Sequence, residues 1–136
     1  MIKRIDHVAI VVENLNDALE FFQEMLGFEL EGMANEPEQN VSVAFMPVGD
    51  SNLELLAPDE TDSGVSRFLA KRGEGIHHIC LEVDNIDAVL VRLKAAGIHL
   101  INEEPITNSR GQRLAFVHPK SAHGVLVELY EAPDSK

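Results

Sequence analysis

The sequence predicts an α+β fold built from two copies of one strand–helix–three-strand unit. Three observations predict it. Ile5-Asp6-His7-Val8 recurs as Ile76-His77-His78-Ile79, Val12-Glu13-Asn14-Leu15 as Val83-Asp84-Asn85-Ile86, and Ala44-Phe45 as Ala115-Phe116, each 71 residues later. Each strand pattern runs into a helical pattern with an Asn or Asp cap and a glycine stop. The chain has only 136 residues, and neither half could bury a sheet face alone, so the halves are expected to form one domain.

The elements follow in order. Residues 4–12, rich in Ile and Val, read as a strand. Asn14 or Asn16 caps a helix to about Leu26, with Ala18, Leu19, Phe22 and Leu26 on one stripe and Gly27 as the stop. Strands are expected at 28–34, 41–48 and 52–57, with the Val48-Gly49-Asp50-Ser51-Asn52 turn between the last two. A polar linker, Ala57 to Gly64, and a short helix at 65–72 lead to Gly73-Glu74-Gly75. The pattern then restarts: a strand from Ile76 to Val83, a helix capped by Asp84 or Asn85 and stopped by Gly97, and strands at 98–102, 113–118 and 124–130. Loops at Asn102–Gly111 and Pro119–His123 separate them, and the tail beyond Ala132 reads as frayed.

Composition narrows the function. The chain carries 45% hydrophobic and 25% charged residues, ordinary for a globular protein. Its net charge of −12 disfavours nucleic-acid backbones but leaves room for a small anionic ligand at a local cation or metal. No stretch reads as a secretory leader or a membrane span. One cysteine, Cys80, excludes an internal disulfide, suits a reducing cytoplasm, and reads as a small core residue.

The repeat also duplicates chemistry. His7 and His78 fall mid-strand in the first strand of each unit. Leu53-Glu54-Leu55 recurs as Val127-Glu128-Leu129, placing Glu54 and Glu128 in the last strand of each. A carboxylate inside an apolar strand is costly unless it is paired, solvated or metal-bound. Two imidazoles and two carboxylates suit a borderline divalent metal. Strand histidines and glutamates are more often plain core or surface residues, but here all four recur in register. His77 faces away from His78, and His99, His118 and His123 lie at strand ends or in loops; they read as non-ligands.

With these positions in place, the chain resembles the vicinal oxygen chelate superfamily, and within it the methylmalonyl-CoA epimerases. The resemblance rests on Ile5-Asp6-His7-Val8-Ala9, Pro37-Glu38-Gln39, Ala44 to Gly49, Leu53 to Pro58, Gly75 to Val83, His118-Pro119-Lys120-Ser121 and Gly124 to Leu129. It implies two tandem βαβββ modules, at about 1–58 and 76–132 with a linker helix at about 59–75, forming a curved mixed sheet around one metal site. It further implies interconversion of (2R)- and (2S)-methylmalonyl-CoA in propionate metabolism. The ligands would be His7, Glu54, His78 and Glu128, with cobalt expected and manganese, nickel or zinc as alternatives.

Glu128 is then one catalytic base. Relatives can carry the opposite base as a glutamate at the position of Val43, so Glu54 is the expected second base here. Lys120 and Ser121 are the expected coenzyme A contacts, ahead of Arg113 and the Lys71-Arg72 pair. A cytoplasmic homodimer is expected. A glyoxalase I-like isomerase and a metal-free binding protein of the same fold are the rival readings.

Overall fold

The computed structural model describes residues 1–36, 40–59 and 63–133. The Pro37-Glu38-Gln39 segment, linker residues Glu60 to Asp62 and the tail from Asp134 lie outside them. The described elements run β1 (Ile2–Val11), α1 (Leu15–Leu19) continuing as a π-helical turn (Glu20–Met25), β2 (Gly32–Glu36), β3 (Val41–Val48) and β4 (Ser51–Pro58). Helix α2 (Gly64–Arg72) follows, then β5 (Gly75–Val83), α3 (Ile86–Ala95), β6 (Ile106–Thr107), β7 (Arg113–Val117), a 3-10 turn (Pro119–Ser121) and β8 (Leu126–Glu131). The strand–helix–three-strand order is therefore present twice. No described helix is long and apolar enough to cross a membrane.

Contacts divide the chain into two compact units. The first, here the N unit, comprises His7–His77; the second, the C unit, comprises Met1–Asp6 with His78–Lys136. In the N unit the strands lie in the order β2-β3-β4-β1. Strand β4 runs parallel to β1 and antiparallel to β3. In the C unit, β5 is followed by β8, β7 and β6, with β8 parallel to β5 and antiparallel to β7. One parallel and two antiparallel pairings in each unit make the expected mixed arrangement.

The helices start where the capping chemistry says they should. The Asn14 side-chain oxygen accepts the Asp17 N–H at 3.0 Å, and Asn85 accepts the Ala88 N–H at 3.1 Å. Both helices end at glycines with positive φ, +87° at Gly27 and +76° at Gly97, a conformation that costs glycine nothing. Helix α2 opens on a reciprocal Ser63–Ser66 capping box. The first helix departs from expectation after Leu19. Its last stretch widens to π geometry, with the Leu26 N–H donating to the Phe21 carbonyl at 2.9 Å. That turn seats the Phe22 ring edge-on to Phe28, centroids 6.1 Å apart.

The core of the N unit covers both sheet faces. Val12, Leu15, Leu19, Ala44, Met46, Leu55 and Ala57 pack under α1. Ala9, Val11, Val41, Val43 and Leu56 pack with Val65 of α2 on the other face. In the C unit, Val83, Ile86, Leu90, Ala115, Val117 and Leu129 form the matching cluster under α3.

Three strands differ from the reading of the sequence. The strand expected at 28–34 starts only at Gly32, because Phe28 and Leu30 turn into the core beneath α1. The strand expected at 98–102 reduces to a single bridge between Leu100 and Val117. Asn102 is the reason. Its side-chain amide accepts from the Phe116 N–H at 2.8 Å and donates to the Leu114 carbonyl at 3.2 Å, taking the bonds a neighbouring strand would make. The chain then leaves and returns as the short β6, which fell within an expected loop. The last strand, expected at 124–130, spans Leu126–Glu131, because the N–H groups of Gly124 and Val125 are used in the preceding turn.

Candidate active site

The two histidine–glutamate pairs arise from the same register in the two units. In the N unit, Ala9 of β1 faces Glu54 of β4, and His7 lies one pleat away on the same side of the strand. In the C unit, Cys80 of β5 faces Glu128 of β8, with His78 one pleat away. The result is a diagonal contact in each: His7 Nδ1 to Glu54 Oε2 at 3.4 Å, and His78 Nε2 to Glu128 Oε1 at 3.4 Å. The flanking residues also match. Each glutamate sits between a small buried residue, Ala9 or Cys80, and a phenylalanine of the adjacent strand, Phe45 or Phe116. Cys80 is 1% exposed, as a small core residue should be.

These side chains are largely withdrawn from water, with 12% and 18% exposure for His7 and Glu54 and 13% and 12% for His78 and Glu128. The nitrogen–oxygen separation is longer than an ordinary hydrogen bond. It matches the edge of a coordination polyhedron: donors about 2.1 Å from one ion and at right angles to tetrahedral angles apart lie about 3.0–3.4 Å from each other. Imidazole nitrogen with carboxylate oxygen is a donor set for a borderline divalent ion, so the residues present fit a divalent metal.

Other residues assume the roles their surroundings dictate. Val43 is 4% exposed within the apolar cluster under α2, opposite Leu56, so that position supplies no base. His77 meets Phe68 edge-on at 4.9 Å, and burial, followed by the Arg72 charge, lowers its pKa from the ordinary histidine value. Arg72 itself lies 5.7 Å over the Phe68 ring. Arg113 is engaged by Asp87 through two hydrogen bonds of 2.7 and 2.9 Å and by Glu131 at 3.6 Å, which leaves it poorly placed as an anion anchor. Lys120 sits exposed on the 3-10 turn, and the Ser121 hydroxyl accepts the His99 N–H at 2.9 Å.

The sequence reading missed one polar cluster in the C unit. Glu82, 7% exposed, accepts from Arg4 Nε at 2.8 Å and meets Lys3 at 3.3 Å, while Arg4 also bonds Asp6 at 2.7 Å. Tyr130 lies opposite Glu82, and its pKa is raised by burial first and by the Asp6 and Glu82 charges after it. The signal was available in the repeat: Glu82 and Tyr130 occupy the positions that hold Val11 and Leu56 in the N unit.

Comparison with known proteins identifies the family. The Glyoxalase/Bleomycin resistance protein/Dioxygenase superfamily profile matches residues 6–116. Mitochondrial methylmalonyl-CoA epimerase of Homo sapiens is 42% identical over 130 residues, 95% of this chain and 74% of that protein. An ethylmalonyl-CoA/methylmalonyl-CoA epimerase of Cereibacter sphaeroides is 40% identical over 131 residues, 95% of this chain and 98% of that protein. A solved methylmalonyl-CoA epimerase in complex with methylmalonyl-CoA and ammonium superposes with a TM-score of 0.86 at 36% identity, covering 100% of this chain and 99% of that one. The chain therefore belongs to the Glyoxalase/Bleomycin resistance protein/Dioxygenase superfamily and, within it, to the methylmalonyl-CoA epimerase family.

Proposed function

We propose that the protein epimerises methylmalonyl-CoA at carbon 2, with His7, Glu54, His78 and Glu128 holding one divalent ion. The observation that carries this reading is the histidine–glutamate pair repeated at the same register in both units, 3.4 Å across in each. When bound, the ion would act as a Lewis acid for the thioester oxygen, where charge collects as carbon 2 loses its proton. Cobalt is the ion we favour within a donor set that also suits manganese, nickel and zinc.

Inversion needs a proton carrier on each face of carbon 2. Glu128 takes the proton from one epimer in this scheme, and Glu54 from the other. One carboxyl begins ionised and the other protonated; the first gains a proton as the second gives one up, so the pair returns to its starting count with the roles exchanged. Both glutamates have the same kind of neighbours, a small buried residue on one side and a phenylalanine on the other. Their shared register supports equivalent roles, and the apolar setting of Val43 removes the competing candidate.

Lys120 and Ser121 serve as the coenzyme A anchor in this reading, since the exposed Lys120 can neutralise phosphate on an otherwise acidic chain. Both modules act as one domain, and the working form is a homodimer. The single buried cysteine suits a cytoplasmic enzyme.

The deciding experiment follows carbon 2 of methylmalonyl-CoA in heavy water. Deuterium should enter and the two epimers should equilibrate. Exhaustive chelation should stop both, and restored metal should recover both. Exchange unaffected by verified metal loss would refute the metal-dependent scheme.

A further inference from the structure

The C unit carries a second histidine assembly that includes none of the proposed ligands. His99 and His118 stack face to face, with ring centroids 4.5 Å apart and planes 3° from parallel. Backbone bonds fix both. The His118 N–H donates to the His99 carbonyl at 2.9 Å, and the His99 N–H donates to Ser121 Oγ at 2.9 Å. The Nδ1 atom of His118 accepts the backbone N–H of Lys120 at 2.9 Å. A nitrogen that accepts there carries no proton, so a neutral ring has its proton on Nε2.

The rest of the turn is held by main-chain bonds. The Ser121 N–H donates to the His118 carbonyl at 2.9 Å, and Ala122 and Gly124 donate to the Pro119 carbonyl at 3.1 and 2.8 Å. Pro119 has no N–H to offer. The peptide of Lys120 is thus tied by a side chain, and that side chain is clamped by its stack on His99. His123, in the left-handed region at φ +57°, closes the turn.

We propose that His118, braced by His99, is a positioning residue for acyl-CoA binding: it fixes the turn that presents the Lys120 ammonium to the phosphates of coenzyme A. The proposal rests on the reading of Lys120 as the anchor. A cation on a pre-set turn loses less freedom on binding than one on a mobile loop. The effect therefore falls on substrate binding and leaves the proton-transfer step alone.

Four variants of the metal-loaded enzyme test it: His118→Phe, His118→Asn, Lys120→Ala and the His118→Phe/Lys120→Ala double variant. Each is read by kcat and KM for methylmalonyl-CoA and by the calorimetric Kd for free coenzyme A. Phenylalanine keeps a ring to stack but cannot accept the Lys120 N–H. KM and Kd should rise about fivefold, the scale of one lost hydrogen bond, with kcat unchanged. Asparagine can accept an N–H two residues ahead through its side-chain oxygen and should restore both constants to near the wild-type values. In the Lys120→Ala background, His118→Phe should add nothing.

If Lys120→Ala weakens binding while His118→Phe does not, the positioning role is overturned and the anchor stands. If His118→Phe still weakens binding in the Lys120→Ala background, His118 acts independently of Lys120 and the proposal falls. If Lys120→Ala leaves both constants unchanged, the anchor reading fails and the proposal with it. Should His118→Phe not fold, His118→Ala takes its place: a fivefold loss that His118→Asn restores supports the proposal, and unchanged constants overturn it.

Discussion

Replacing Glu54 by glutamine separates proton exchange from inversion. The amide has the shape of the carboxylate, so a side chain that is 18% exposed between Ala9 and Phe45 leaves no cavity behind. Without a cavity or a buried unpaired charge, the stability change should stay within about 1 kcal/mol. The amide oxygen remains available as a ligand 3.4 Å from His7 Nδ1, the separation that coordination at one ion requires. Basicity alone is lost. Removing one general base costs roughly a hundredfold, or about 2.7 kcal/mol in the barrier.

Glu54→Gln should therefore keep its metal and still exchange the carbon 2 proton of one epimer through Glu128. Interconversion should fall by about two orders of magnitude. Glu128→Gln, with a side chain 12% exposed between Cys80 and Phe116, should show the mirror image, exchanging only the other epimer. The assay starts from each pure epimer in deuterated buffer, with deuterium content read by mass spectrometry, epimer ratio by coupled enzyme, and metal content by emission spectroscopy. Glu54→Gln that inverts at the wild-type rate with metal bound would refute the two-carboxylate scheme.

Other expectations rest on the same structure. His78→Ala should lose bound metal and epimerisation together; full occupancy and turnover in the purified variant would remove His78 from the ligand set. Saturating metal should raise the melting temperature, gaining about 1.4 kcal/mol for each tenfold excess over its dissociation constant, and differential scanning calorimetry before and after chelation checks this. Ile86→Ala removes a fully buried side chain from the core under α3 and should cost about 2–5 kcal/mol in urea unfolding. Arg113 holds the Asp87 carboxyl below its ordinary pKa, first by hydrogen bonding and then by charge. Such a group stabilises the fold above its unfolded value of about 3.9 and loses that contribution as pH falls through the lower folded value. Asp87→Asn should therefore change the melting temperature little at pH 7, since so exposed a pair contributes less than about 1 kcal/mol of stability. It should flatten part of the decline below about pH 4.

The sequence was most legible where one local signal had one structural meaning. Asn14, Asn85, Gly27 and Gly97 bracket helices at the expected residues, and the shared offset of His7 with His78 and Ala44 with Ala115 placed the strands of both units. The two histidine–glutamate pairs followed from that register. Legibility failed where a side chain replaced a backbone partner. Asn102 reads as the start of a loop, yet its amide completes the edge of β7 and cuts short the strand before it. The π turn at Glu20–Met25 depends on where Phe22 meets Phe28, which no periodicity within the helix reveals. The Arg4–Glu82 pairing joins residues 78 positions apart, and the repeat marked only that these positions had changed character.

The assignment of Met1–Asp6 to the unit formed with His78–Lys136 has a consequence for synthesis. Arg4 is synthesised 78 residues ahead of Glu82, so residues 1–6 must wait for partners made later in the chain. Until then Ile2 and Ile5 lie in a strand segment with an open edge, the kind of segment that other chains can pair with. Arg4 and Lys3, placed at that end, act as charged gatekeepers during the interval and become ion-pair partners of Glu82 once it closes. A nascent chain stalled before residue 78 should for this reason hold His7–His77 material while residues 1–6 stay open to protease, and synthesis through residue 133 should protect them.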